Sequence, residues 1–332
     1  MSDINLEERA IGAIMGAYIG DALGLGVHWF YDLDEQRKYY GDWIDDYNNP
    51  QLDRYHGGMK AGQQSQSGLI LNMLIDSLLI DGEYNEYDFC NRLDNDLFPL
   101  LDGTANFGPG GFTNQSIREA WTQRTLNNKP WGQVAGFADN TEAAERTIAL
   151  AVRYASNSKK LAAFVSNNTL LTQCDDNVQS MTIVFNATLG MLIQGHPLDA
   201  KLSDKMLNLI GNYSLPCQRR TPYETPSNVA LAASEDLIHP AWKVALVYGM
   251  PCAVNYQFPT CYYLAARYSD DFENAVLHAI NGGGQNMARA MLTGALVGAQ
   301  VGVQGIPQRF IDGLEQPDAL LKRARQLAAL AN

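Results

Sequence analysis

Two ladders of glycine, one near each end of the chain, constrain this fold more than any other feature of its 332 residues. In LEERAIGAIMGAYIGDALG (residues 6–24) glycine recurs at Gly12, Gly16, Gly20 and Gly24; in MLTGALVGAQVGVQGIP (residues 291–307) it recurs at Gly294, Gly298 and Gly302. Residues four apart share a helix face, so each ladder strips side chains from one face and lets another backbone approach closely. The pattern predicts two helices crossing at short distance inside a helical core. The second ladder is preceded by Gly282, Gly283, Gly284, Gln285 and Asn286. Three glycines leading into a helix N-terminus leave unpaired N–H groups and a positive dipole end, suited to anions or oxygen-rich ligands. A flexible lead into a tightly packed helix is the simpler alternative.

Apolar residues elsewhere recur at helical spacing, and alternating strand patterns are nearly absent, which predicts an all-α fold in one domain spanning residues 1–332. Beyond the two ladder helices, helices are expected at 69–80, from Thr113 or Asn114 through Trp121, and at 139–156, 160–168, 178–194 and 198–213. More are expected at 239–248, 260–269, 271–280 and 316–330. Residues 214–226, with three prolines, read as a break. Residues 33–60 are polar and read as a long loop with one short helix near 34–40, placed as a lid over a cleft.

The net charge of −12 excludes nucleic acid as a partner, because that needs clustered Lys and Arg to displace counterions. Five cysteines without a CxxC fit reduced thiols rather than a zinc site or a disulfide framework. The first residues are acidic and no apolar run is long enough to span a bilayer. A cytoplasmic protein without a membrane partner is the expectation.

Asp21 ends the first ladder on an otherwise apolar helix, where a carboxylate needs a partner or a metal, because an isolated buried charge is costly. His28 follows in VHWFYD as a proton carrier or as a satisfied, semi-buried histidine. Gln63, Ser65, Gln66 and Ser67 form a neutral polar cluster at a helix start, with Ser65 and Ser67 as natural N-caps. Asp175 and Asp176 precede another helix, as caps or as site residues. His56 is a loop-packing or ligand-touching residue, and Arg289 is expected to pin the 33–60 loop through a salt bridge.

The series GAIMGAYIGDALG, HWFYD, YHGGMKAG, TQCDDN and GGGQNMARAMLTGALVGAQVGVQGIP, in this order over residues 6–310, resembles the ADP-ribosylglycohydrolase superfamily. The similarity is greatest to its branch of cnidarian lens J-crystallins. The resemblance implies an all-α globule with an ADP-ribose cleft and, in active members, two magnesium ions held by acidic motifs. The Thr-Asp-Asp-Thr motif falls on Ser65, Gln66, Ser67 and Gly68. The Gly-Gly-Asp-Thr-Asp-Thr motif falls on Gly283, Gly284, Gln285, Asn286, Met287 and Ala288, and an early glutamate falls on His28. Where the crystallin branch carries glutamates, this chain has Gln63 and Gln285. Apart from Asp21, each of these positions offers an amide, a hydroxyl, an imidazole or an apolar group, so no metal and no cofactor is expected.

Three readings follow. One is a hydrolase of ADP-ribose-type N- or O-glycosides working without the metal pair, with Asp21 and His28 as its acid–base groups. The second is a non-catalytic binder of an ADP-ribose-like or other small polar ligand through Gln63, Ser65, Gln66, Ser67, Gly283, Gly284, Gln285, Asn286 and Asp175. The third is a crystallin-like structural protein.

Overall fold

The computed structural model describes residues 4–102, 114–210, 215–217 and 221–331, with side chains 209–210 left aside. Among the described residues there are sixteen α-helices and no strand; only two isolated bridges occur, Gly136 with Gln173 and Asn140 with Ala253. The first half runs α1 (Leu6–Leu25), α2 (Leu33–Tyr40), α3 (Gln66–Asp81), α4 (Glu86–Arg92), α5 (Gln115–Trp121), α6 (Glu142–Arg153), α7 (Ser158–Thr169) and α8 (Asp176–Ile193). The second runs α9 (Leu202–Ile210), α10 (Thr221–Ser234), α11 (Val244–Tyr248), α12 (Val254–Arg267), α13 (Phe272–Asn281), α14 (Asn286–Val301), α15 (Gln308–Asp312) and α16 (Pro317–Ala328).

The two glycine ladders mesh. An added Cβ would lie 2.2 Å from Gly298 O at Gly12, 2.0 Å from Gly294 O at Gly16, 2.1 Å from Ala290 O at Gly20 and 2.3 Å from Met287 Cα at Gly24. The partner numbers fall as the α1 numbers rise, so α1 and α14 lie antiparallel. The expected crossing is therefore a lengthwise seam, about 18 Å long at about 1.5 Å per residue. Every α1 residue from Ala10 to Leu25 is buried, and α3, α6, α8 and α16 pack around it.

Antiparallel pairing sets the start of α1 beside the end of α14. There Arg9 Nη1 donates to the carbonyls of Ala299 (2.9 Å) and Gln300 (2.8 Å). The last turn of α14 has no basic residue of its own, so Arg9 caps it from across the seam. Arg9→Ala should cost about 1–2 kcal/mol in urea denaturation; an unchanged midpoint would show the cap to be idle.

Two helices differ from expectation at prolines. Residues 214–226 contain the start of α10, with Pro222 in its first turn and Pro226 inside, and α12 begins at Val254 and carries Pro259 inside. Pro222 lies where an N–H has no intrahelical partner, and Pro226 and Pro259 each fall in the second turn, where one ladder bond is lost. The short helix expected near 34–40 is α2. The segment after it is fastened by Asn281, which donates to Ile44 O and accepts from Ile44 N, and by Arg54, which pairs with Glu35 at 2.9 Å. The ion pair expected from Arg289 does not form. That side chain is buried and donates to Ala279 O and Gly283 O, tying the end of α13 to the turn before α14.

Candidate functional site

The other end of the seam brings the close of α1 to the start of α14, and the candidate site lies there. Gly283 and Gly284 adopt φ of +64° and +60°, which glycine takes without strain. A Cβ on Gly284 would also stand 2.5 Å from Met250 O. The N–H groups expected to await an anion are already used at two positions. Gly284 N donates to Phe30 O at 2.7 Å, and Gln285 N donates to Met250 O at 3.0 Å. This corrects the expectation of an unpaired N–H at Gly284, and the next N–H, of Gln285, is taken as well: distant carbonyls fill that part of the nest.

A hydroxyl-and-carboxyl network surrounds the start of α3. Asp21, fully buried, accepts from Ser65 N (2.8 Å) and from Ser65 Oγ (2.5 Å). Ser65 is also the N-cap of α3, its Oγ accepting from Ser67 N at 3.0 Å. Ser67 Oγ donates to Glu145 Oε2 at 2.5 Å and accepts from Asn114 Nδ2 at 2.9 Å. Gln66 Oε1 accepts from Asn114 N. Thr141 Oγ1 donates to Glu145 Oε1, and Glu142 accepts from Gln115 N, Ser116 N, Ser116 Oγ and Asn140 Nδ2. Three helix starts, of α3, α5 and α6, are thereby laced to α1.

Burial pushes the Asp21 carboxyl up to about 7, against the pull of the Ser65 bonds, and Glu145 adds a further upward push. Burial likewise raises Glu142 to about 7 and raises Glu145, with the Ser116, Ser67 and Thr141 bonds opposing. Among the described residues no group of three or more His, Cys, Asp or Glu converges to hold a metal.

A second cluster sits at the α14 start. His28 Nδ1 lies 2.7 Å from His56 Nε2, and His28 Nε2 lies 2.7 Å from Gln285 Oε1, which also accepts from Trp29 Nε1. Burial holds His28 down to about 4 and His56 well below its ordinary value, so both rings are neutral near pH 7. Trp29 and His56 have φ of +63° and +66°, rare for bulky residues and held only where surroundings enforce them. Asn286 Nδ2 donates to Val27 O and Ile280 O.

The structure thus gathers Asp21, Ser65, Gln66 and Ser67 in one network and His28, Gln285 and Asn286 in another, with His56 joining the second. Two expected site residues stand apart. Gln63 turns to Glu315, donating at 3.0 Å, and Asp175 caps α8 by accepting from Val178 N while lining a separate cavity of about 820 Å³ with Asp176, Cys217 and Asn255. Both of those side chains satisfy local backbone or surface partners. Glu142, Glu145 and Asn114 were not read as site residues from the sequence. The one signal for the glutamates was a pair of carboxylates opening a helix that turns apolar at Ile148.

The ADP-ribosylglycohydrolase family profile matches residues 2–332. Crystallin J1A of Tripedalia cystophora is 23% identical over 99% of both chains, and an uncharacterized protein of Archaeoglobus fulgidus is 21% identical over 98% of this chain and 97% of its own. A solved structure titled ADP-ribosylglycohydrolase-related protein complex superposes with a TM-score of 0.62 at 18% identity over 99% of each chain, a likeness of fold. With the meshed ladders and the α3 and α14 starts facing α1, the profile match places this chain in the ADP-ribosylglycohydrolase family.

Proposed function

We propose that this protein binds an ADP-ribose-type or similar small polar ligand without magnesium, as a family member whose metal chemistry has been replaced by hydrogen bonding. The observation that carries the reading is the direction of the hydroxyl bonds. Ser67, at one of the two acidic positions of the Thr-Asp-Asp-Thr motif, donates a hydrogen bond from Oγ to Glu145, and Ser65, at the motif's first threonine, donates from Oγ to Asp21. Magnesium needs hard oxygens, usually with anionic ligands among them. Here both Asp21 oxygens are engaged by Ser65, and Asn286 uses its nitrogen as a donor to backbone. The residues do not fit a magnesium pair. Tyr55, partly exposed and T-shaped against Trp29 with ring centroids 4.5 Å apart, gives the second cluster an aromatic surface for a base or sugar face.

Thermal denaturation with ADP-ribose tests this. Ligand at 100 times its dissociation constant should add about 2.7 kcal/mol, equally with magnesium and with a chelator. No shift, or a shift that requires magnesium, overturns the proposal.

A second reading, glycosidic hydrolysis, is favoured by Asp21 alone, since a carboxyl lifted to about 7 can serve as an acid at neutral pH. Turnover of ADP-ribosides lost in Asp21→Asn would support it; a wild type without turnover removes it.

A further inference from the structure

We infer that Gln285 is a ligand-facing hydrogen-bond donor whose orientation is locked by a relay running from His56 through His28, with Trp29 as the fixed reference. The inference rests on the ligand-binding reading above and deepens it by naming the chemistry recognised: an uncharged acceptor oxygen or ring nitrogen, such as a hydroxyl, a carbonyl or a base edge.

An indole N–H can only donate. Trp29 Nε1 meets the Gln285 side-chain oxygen, so the amide cannot be turned over without setting N–H against N–H. The same oxygen lies 2.7 Å from His28 Nε2, which must therefore carry its proton there. A neutral imidazole has one N–H, so His28 Nδ1 is an acceptor, and at 2.7 Å it accepts a hydrogen bond from His56 Nε2–H. Each tautomer follows from the one before.

Gln285 Oε1 is then fully occupied, and the side chain cannot both donate and accept toward a ligand. Among the described residues its amide nitrogen has no hydrogen-bond partner, on a residue that keeps 8% of its surface exposed. Two N–H bonds on that nitrogen are what the cluster offers outward. The unusual backbone at Trp29 and His56 belongs to this device, since both residues reach their partners from left-handed φ. Trp29, His28 and His56 are positioning residues, and the donor is Gln285.

The test has two arms. Long-range ¹H–¹⁵N spectra of histidine-labelled protein should show His28 and His56 protonated on Nε2 and bare on Nδ1 from pH 6 to 8, with His28 titrating far below its ordinary value. A His28 proton on Nδ1, or a titration near the ordinary histidine value, overturns the relay. In the second arm, Gln285→Glu keeps the acceptor for Trp29 and His28 but removes both N–H donors. ADP-ribose affinity by calorimetry should fall on the order of tenfold or more, and the new carboxylate should raise the His28 titration. Unchanged affinity in a folded Gln285→Glu protein overturns the donor role while leaving the functional reading intact. If wild-type protein does not bind ADP-ribose, that functional reading fails, and the tautomers alone then decide the relay.

Discussion

Gly16→Ala is expected to destabilise the protein by about 3 kcal/mol, a loss of about 4 °C in Tm for a chain this long. The added methyl would sit 2.0 Å from the carbonyl oxygen of Gly294 and 2.6 Å from its carbon. Both are backbone atoms in the middle of a buried helix, so no rotamer change relieves the clash and the two helices must part. Gly190→Ala supplies the control. There the nearest atom is a Leu161 methyl at 3.2 Å, on a side chain that can shift, and alanine favours the helix. Gly190→Ala should stay within about 1 kcal/mol of wild type. Urea denaturation of both variants decides the matter, and a Gly16→Ala as mild as Gly190→Ala would mean that the seam is loose.

The second large effect is in the pH dependence of Asp21→Asn. Asp21 titrates at about 7 when folded, against an ordinary 3.8. Between those values the folded state holds a proton that the unfolded state has released, so stability falls as pH rises through the window and is flat above it. At about 1.4 kcal/mol per unit, the displacement corresponds to about 4 kcal/mol. The curve of wild-type protein alone mixes this with other groups: Glu142 and Glu145, also raised by burial, move stability in the same direction. His28 and His56 are held neutral by burial, so below about pH 6.5 they bind fewer protons folded than unfolded, and they move stability the other way. Comparison with Asp21→Asn removes that background. The variant loses one Ser65 bond and should be the less stable protein at pH 5, then gain on wild type by about 3 kcal/mol on the way to pH 8. A constant difference across that range would show that Asp21 is ionised when folded.

What was legible in the sequence is what leaves a local mark. Glycine every fourth residue is such a mark, and it gave the contact between α1 and α14, though not its antiparallel register. Ser65 as a cap was readable because a serine before an apolar run has few other uses. Glu142 and Glu145 escaped notice because charged residues in a helix's first turn ordinarily face water, and only packing against α3 and α5 buries these. The filled nest at Gly284 and Gln285 was hidden for a similar reason. Whether an N–H is free depends on carbonyls at Phe30 and Met250, far away in the chain. Gln63 belongs to a polar cluster by sequence, yet its backbone sends the side chain toward Glu315. Arg289 found carbonyls rather than an acid, which no spacing rule anticipates.

The seam also has a temporal side. α1 is made first, and the face that its glycines expose has no partner until α14 follows, some 270 residues later. At synthesis rates of about 5–20 residues per second, that interval is on the order of ten seconds or more. Throughout it a largely apolar helix waits in a growing chain. The candidate site, lying at the joint of these two helices, accordingly forms only once α14 has been made.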